Sequence, residues 1–242
     1  MIRTRMLLAV VLLAAGITAA AGPDAASELA ALQAMTDEPL AAWDVSYYLE
    51  KYKHDRYAVS DELLRQYFPQ RRVIEGLFHL AERLYQVRVS RVDDVPAWHD
   101  TVSYYEVRDT DGNLLGGFYT DLYARSGKRA GAWIDECIVR KNLSGETVTP
   151  VGYLVCNFSP PDKSGVSLLT HNDVVTLFHE FGHMLHHLLT RVGFPSISGI
   201  NGVPWDAVEL PSQFMENFAW SFDVLTHCSA HFEHGEPLPR SL

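Results

Sequence analysis

The stretch from Thr170 to Arg191 constrains this chain more than any other. It contains His179-Glu180-Phe181-Gly182-His183, an HExxH motif. On an α-helix the two histidines stand one turn apart and share a face. Imidazoles at that spacing can hold one zinc ion, and Glu180 beside them is placed to take a proton from a zinc-bound water. The motif needs a helix beneath it, and its flanks predict one. Val174, Leu177, Phe178, Phe181, Leu185 and Leu188 recur at helical spacing. Thr170 can cap the N-terminus, with Asp173 as the capping-box carboxylate. Arg191 suits the last turn, and Gly193 predicts the stop. Gly182, inside the helix, costs roughly 1 kcal/mol against alanine.

A chain of 242 residues, 47% of them hydrophobic, makes one large domain or two small ones. Its formal charge of −10 and the absence of a Lys/Arg cluster argue against nucleic acid as a partner. Residues 1–22 read as a signal peptide: Arg3 and Arg5, an apolar run from Met6 to Ala15, then Ala19-Ala20-Ala21 as a small-residue cleavage site. The run is short for a membrane span. Residues 23–242 are then the folded part, periplasmic or secreted if the signal is real and cytoplasmic otherwise, with no membrane attachment once the signal is cleaved. Cys137, Cys156 and Cys228 are too few and too widely spaced for a disulfide framework and read as small buried apolar residues.

Along the chain, helices are predicted over Ser27–Met35, Trp43–Tyr57, from Ser60 to Tyr67-Phe68-Pro69, and over Arg72–Val87. A hairpin follows, Val102–Val107 and Leu114–Tyr123 around Asp111-Gly112, then strands over Gly131–Val139 and Val151–Phe158. After the motif helix and a Gly/Ser/Pro loop, a last helix is expected from about Trp205.

A catalytic zinc needs a third protein ligand. Glu209 in WDAVELPSQFMEN is the best candidate, although a solvated carboxylate at a helix N-terminus reads equally well there. Helical spacing puts Glu209, Gln213 and Glu216 on one face, and Leu210, Phe214, Phe218 and Phe222 on another, which is expected to be the core. Glu216 and Asp206 are candidates to orient a ligand imidazole. His187 shares the motif face but lies about 12 Å along the axis from His179, too far to share one ion. It and His171, His186, His227, His231 and His234 read as structural.

HEFGHMLHHLLTR followed by SGINGVPWDAVELPSQFMEN resembles the zinc metallopeptidases of the thimet oligopeptidase and oligopeptidase A family. Further likeness lies in WDVSYYLEKYKHDRYAVSDELLRQYFP, GFYTDLYAR, GKRAGAWIDEC and YLVCNFSPP. The resemblance implies that His179, His183 and Glu209 bind one zinc ion per chain, that Glu180 is the catalytic base, and that the substrates are short peptides. It implies an α+β fold, mostly helical and zincin-like, with an HExxH helix, a Glu-bearing helix and a small sheet. A substrate strand is expected along a sheet edge, with Gly131, Ala132 and Trp133 as candidate contacts. Members of that family are longer. They carry a large helical region before the counterpart of Trp43, and beyond Leu242 a segment whose Tyr and His residues stabilise the oxyanion. Phe218 and Ser221 stand where they usually have Trp and Glu. The chain therefore reads as a partial catalytic domain truncated at both ends, a monomer. Two functions are open on this reading: a metalloendopeptidase, or a catalytically incomplete fragment acting as a zinc- or peptide-binding module.

Overall fold

The computed structural model describes residues 25–57 and 60–242, in two units that divide between Leu63 and Leu64. The signal-peptide reading falls outside the described residues. The first unit holds α1 (Ala25–Gln33) and α2 (Val45–Tyr57), close to the predicted spans. The turn after α1 is closed by the Gln33 side chain, which donates to Glu38 O at 2.9 Å and accepts from Leu40 N at 3.1 Å. A short helix, α3 (Asp61–Leu64), runs into a 3-10 turn over Arg65–Tyr67 and stops before Pro69, as the sequence predicts.

After that turn the second unit continues with α4 (Gln70–Tyr85), whose Val73, Leu77 and Ala81 point into the core at helical spacing. Gln86 ends it in the left-handed conformation. The chain then builds β1 (Val87–Val92), β2 (Ser103–Asp109), β3 (Leu114–Tyr123), β4 (Trp133–Ile138), β5 (Lys141–Leu143), β6 (Glu146–Val148) and β7 (Val151–Phe158). Five strands form one sheet in the order β1-β2-β3-β7-β4, and β5 and β6 pair as a separate hairpin. The β3–β7 contact is parallel and the other pairings in the large sheet are antiparallel. β4 ends the order, so among the described residues its outer side has no strand partner.

Alternation along the strands gives the sheet one apolar face. Val107, Phe118, Leu154, Cys156 and Phe158 project from it into a core shared with α4 and with the motif helix α5 (His171–Leu189). α5 crosses β3, β7 and β4. It lies so close to β7 that a Cβ on Gly152 would sit 2.7 Å from the Met184 thioether, so a larger residue there would require that side chain to move. Beyond α5 come α6 (Leu210–Glu216), a 3-10 turn over Asn217–Trp220 and α7 (Phe222–Cys228). Helix and sheet thus share the chain, about 38% of it helical. Among the described residues no helix is long and apolar enough to cross a membrane.

Three local expectations need correction. The motif helix ends at Leu189, not near Gly193, and Gly193 instead sits against the Asn142 side chain. The last helix starts at Leu210 and turns a different face inward. Ser212, Met215 and Ala219 are buried, while Leu210 is 72% and Phe214 48% exposed. Of the cysteines, Cys156 and Cys228 are buried, but Cys137 is exposed on β4 and its Sγ accepts the Tyr153 hydroxyl at 2.9 Å.

Candidate metal centre

α5 starts on a complete capping box. The Asp173 amide donates to the Thr170 hydroxyl at 3.1 Å, and the Thr170 amide donates to the Asp173 carboxylate at 2.9 Å. This fixes the helix end nine residues before His179. Within α5 the apolar stripe faces the sheet, and His179 and His183 emerge on the side toward α6, their rings 4.9 Å apart.

Gly182 decides how close α6 can come. A Cβ there would lie 2.5 Å from Pro211 O and 2.7 Å from Ser212 Cα, both backbone atoms. The missing side chain lets the two helices touch, and that contact delivers Glu209 to the imidazoles. Glu209 occupies the N-cap position of α6 but makes no side-chain cap bond. Its carboxylate turns instead toward α5, with Oε2 at 3.2 Å from His179 Nε2 and 3.1 Å from His183 Nε2. The fully buried Ser212 hydroxyl holds that same oxygen at 2.8 Å. Ser212 carries no signal in the sequence beyond its place three residues after Glu209.

On the far side of His179, Nδ1 lies 2.5 Å from Glu216 Oε1. A carboxylate only accepts, so Nδ1 carries the proton and Nε2 of the neutral ring presents a lone pair. One oxygen of Glu209 then faces two ring nitrogens at little over 3 Å. A single proton on that oxygen would satisfy one such contact; a cation placed among the three atoms satisfies all of them. In a tetrahedral zinc site, ligand bonds of about 2.0–2.1 Å put neighbouring ligand atoms about 3.3 Å apart, close to the two separations seen here. The ligand atoms of His179, His183 and Glu209 all lie within 4.8 Å of one another. This donor set, two imidazoles and a carboxylate, fits zinc.

Glu180 is 6% exposed. Burial pushes its carboxyl up to about 7; the Glu209 charge adds to the effect and His179 opposes it. Burial also holds His183 below the usual histidine value, partly offset by Glu209, which favours the unprotonated ring that a metal requires.

The remaining candidates fall as follows. Trp133 opens β4 on the free edge of the sheet, paired with Val155, and Gly131 and Ala132 lead into it. Gly131 has φ +98, and the Asn157 side chain donates to its carbonyl at 2.6 Å, which fixes the entry to the strand. Asp206 is exposed on the turn before α6 and is not among the groups brought to the imidazoles. His187 is fully buried and donates through Nε2 to Val151 O at 3.2 Å. His231, Glu233 and His234 form a second group of metal-type donors. The two rings there stack at an interplanar angle of 7°, so their in-plane lone pairs lie in parallel planes, a poorer geometry for one shared ion than the crossed rings of His179 and His183.

The profile of Peptidase family M3 matches residues 9–242. Oligopeptidase A of Haemophilus influenzae is 53% identical over 202 residues, covering 83% of this chain and 30% of that protein. Oligopeptidase A of Escherichia coli is 48% identical over 228 residues, 92% of this chain and 34% of its own length. A dipeptidyl carboxypeptidase of the same bacterium is 35% identical over 232 residues, 93% of this chain and 34% of that protein. The chain thus spans about a third of the length of the curated relatives it matches.

Proposed function

The chain belongs to peptidase family M3, and on that premise we propose that it carries the zinc centre of a metalloendopeptidase acting on short peptides. The observation that carries the reading is the convergence of His179, His183 and Glu209 beside a buried Glu180. The HExxH helix, the Glu-bearing helix after it and the sheet alongside are the parts of a zincin-like site. When bound, zinc supplies Lewis acidity, polarising the scissile carbonyl and bringing the pKa of water toward ~7.

The chain's own groups do the rest. With its carboxyl pushed up to about 7, Glu180 is part ionised at neutral pH; the ionised form accepts the proton of the attacking water, and the acid so formed hands it to the leaving amine. Glu216 holds the His179 ring in one tautomer, and Ser212 holds the Glu209 carboxylate. The free side of β4 offers backbone donors and acceptors to an extended peptide, which would place its carbonyls alongside α5.

The test is hydrolysis of a quenched-fluorescent peptide by the zinc-loaded chain beside Glu180→Gln, with metal analysis of both. One zinc per chain in each protein, and turnover falling at least about 100-fold in Glu180→Gln, is the expected result. Zinc without turnover in the unmodified chain would favour a zinc- or peptide-binding module. A folded chain that takes up no zinc would refute the site.

A further inference from the structure

His183 and Glu209 sit on opposite sides of a long connection, residues 190–209, and the carboxylate is only as well placed as that connection is held. The loop is anchored in steps. The Asn142 amide donates to Gly193 O at 3.1 Å, the buried Ser198 hydroxyl donates to Val192 O at 2.9 Å, and Gly199 (φ +62) lies against His187. Then Asn201 reaches across to the sheet. Its side-chain amide donates to Glu136 Oε2 at 2.6 Å and to Ser198 O at 3.4 Å. Both partners are acceptors, so the amide can point only one way.

Glu136 is on β4, the free-edge strand. Among the described residues the Asn201–Glu136 bond is the last hydrogen bond between the loop and the sheet before Glu209. After it the chain runs through Gly202 (φ +70) and Pro204 into a turn closed by Ala207 N to Pro204 O at 2.9 Å and continued by Leu210 N to Ala207 O at 3.1 Å, both local bonds that do not reach the sheet.

We propose that Asn201 and Glu136 form a latch that positions Glu209, joining the strand edge to the loop that delivers the third metal ligand. The inference rests on the metal-centre reading above. The latch is the last of these anchors and leaves only the short tether 202–208 before Glu209, which narrows the volume that the carboxylate explores before it meets the imidazoles. The bond is charge-assisted and half-buried, so it is strong enough to hold. Both are positioning residues: neither touches the metal.

The experiment exploits the direction of the bond. Asn201→Ala removes the donor, and zinc affinity, measured by competition with a chromophoric chelator, should fall about 10-fold. Asn201→Asp sets two carboxylates face to face and should lose more. Glu136→Gln keeps a carbonyl acceptor and should stay near wild type. Asn201→Asp combined with Glu136→Gln restores a donor–acceptor pair with its direction reversed and should recover affinity to within about 3-fold of wild type. Thermal midpoints of the metal-free variants should change little, which separates positioning from general destabilisation.

Amide exchange of residues 198–209 in the metal-free chain is measured in parallel and should accelerate in Asn201→Ala. Equal zinc affinity in Asn201→Ala and wild type overturns the latch, as does failure of the reversed pair to recover what Asn201→Asp loses. A wild-type chain that takes up no zinc overturns the metal-centre reading instead. The exchange arm then decides the latch by itself, and unchanged protection in Asn201→Ala refutes it.

Discussion

Gly182→Ala pits two effects of known direction against each other. In an isolated helix the change should stabilise, because alanine is better than glycine by about 1 kcal/mol. Here the new Cβ would meet Pro211 O at 2.5 Å and Ser212 Cα at 2.7 Å, where ordinary contact begins at 3.4 Å. These are backbone atoms, so no rotamer change relieves the clash and α6 must retreat by about 0.9 Å. Overpacking of this kind costs about 1–3 kcal/mol, which leaves a net loss of up to about 2 kcal/mol.

The retreat matters more for the metal. Glu209 lies two residues before Pro211, and zinc ligands tolerate departures of only about 0.2 Å. The displaced carboxylate should therefore weaken zinc binding by about 10- to 100-fold, out of proportion to the change in folding stability. Chelator competition gives the affinity, and urea unfolding of the metal-free protein gives the stability. A variant more stable than wild type that binds zinc equally well would refute the idea that Gly182 sets the helix spacing and, through it, the third ligand.

Other perturbations have equally definite outcomes. Ser212→Ala frees the Glu209 oxygen that its hydroxyl holds at 2.8 Å and should lower zinc affinity about 10-fold by the same competition assay. Thr170→Ala removes the hydroxyl half of the capping box and should cost about 1 kcal/mol in urea unfolding. Lys128→Met leaves Asp121 with one cation fewer in a site where both side chains are nearly fully buried; a loss of about 3 kcal/mol is expected from chemical denaturation. Burial opposes ionisation of Asp121, but Arg125, Lys128 and Trp98 Nε1 together hold its carboxyl well below the usual 3.8. Its contribution to stability is therefore present above about pH 4 and lost as pH falls below that value. Asp121→Asn should make the acid limb of the pH–stability curve shallower, and an unchanged limb would count against this ion cluster.

Much of the centre is legible in the sequence because its parts are local. The capping box, the apolar stripe and the HExxH pair all lie within α5, where a 3.6-residue period governs them. Glu209 is legible for a different reason, since its surrounding motif resembles a known family. What escapes the reading depends on contacts between distant residues. β1 follows the left-handed Gln86 directly; the sequence reading carries the helix on to Val87 and assigns no element to Arg88–Val92, because six residues of alternation are a short signal that pairing with β2 completes. The inward face of α6 is chosen by its crossing at Gly182 rather than by hydrophobicity. That crossing buries Ser212 and leaves Leu210 and Phe214 outside. The role of Gly182 itself appears as a propensity cost in the sequence and as a requirement only when two backbones meet.

The unpaired side of β4 also bears on how these molecules treat one another in concentrated solution. An open strand edge is a template for any extended segment, including the same edge of another copy. β4 carries Asp135 and Glu136 side by side at its middle. If two such edges met antiparallel about that middle, Asp135 of one copy would face Glu136 of the other on each side of the joined sheet, and the repulsion within each pair would oppose the pairing. A peptide bringing a lysine or arginine to the same place would meet no such barrier. The strand's acidity thus sorts visitors by charge, opposing edge-to-edge pairing of two copies while leaving the edge open to segments of opposite charge.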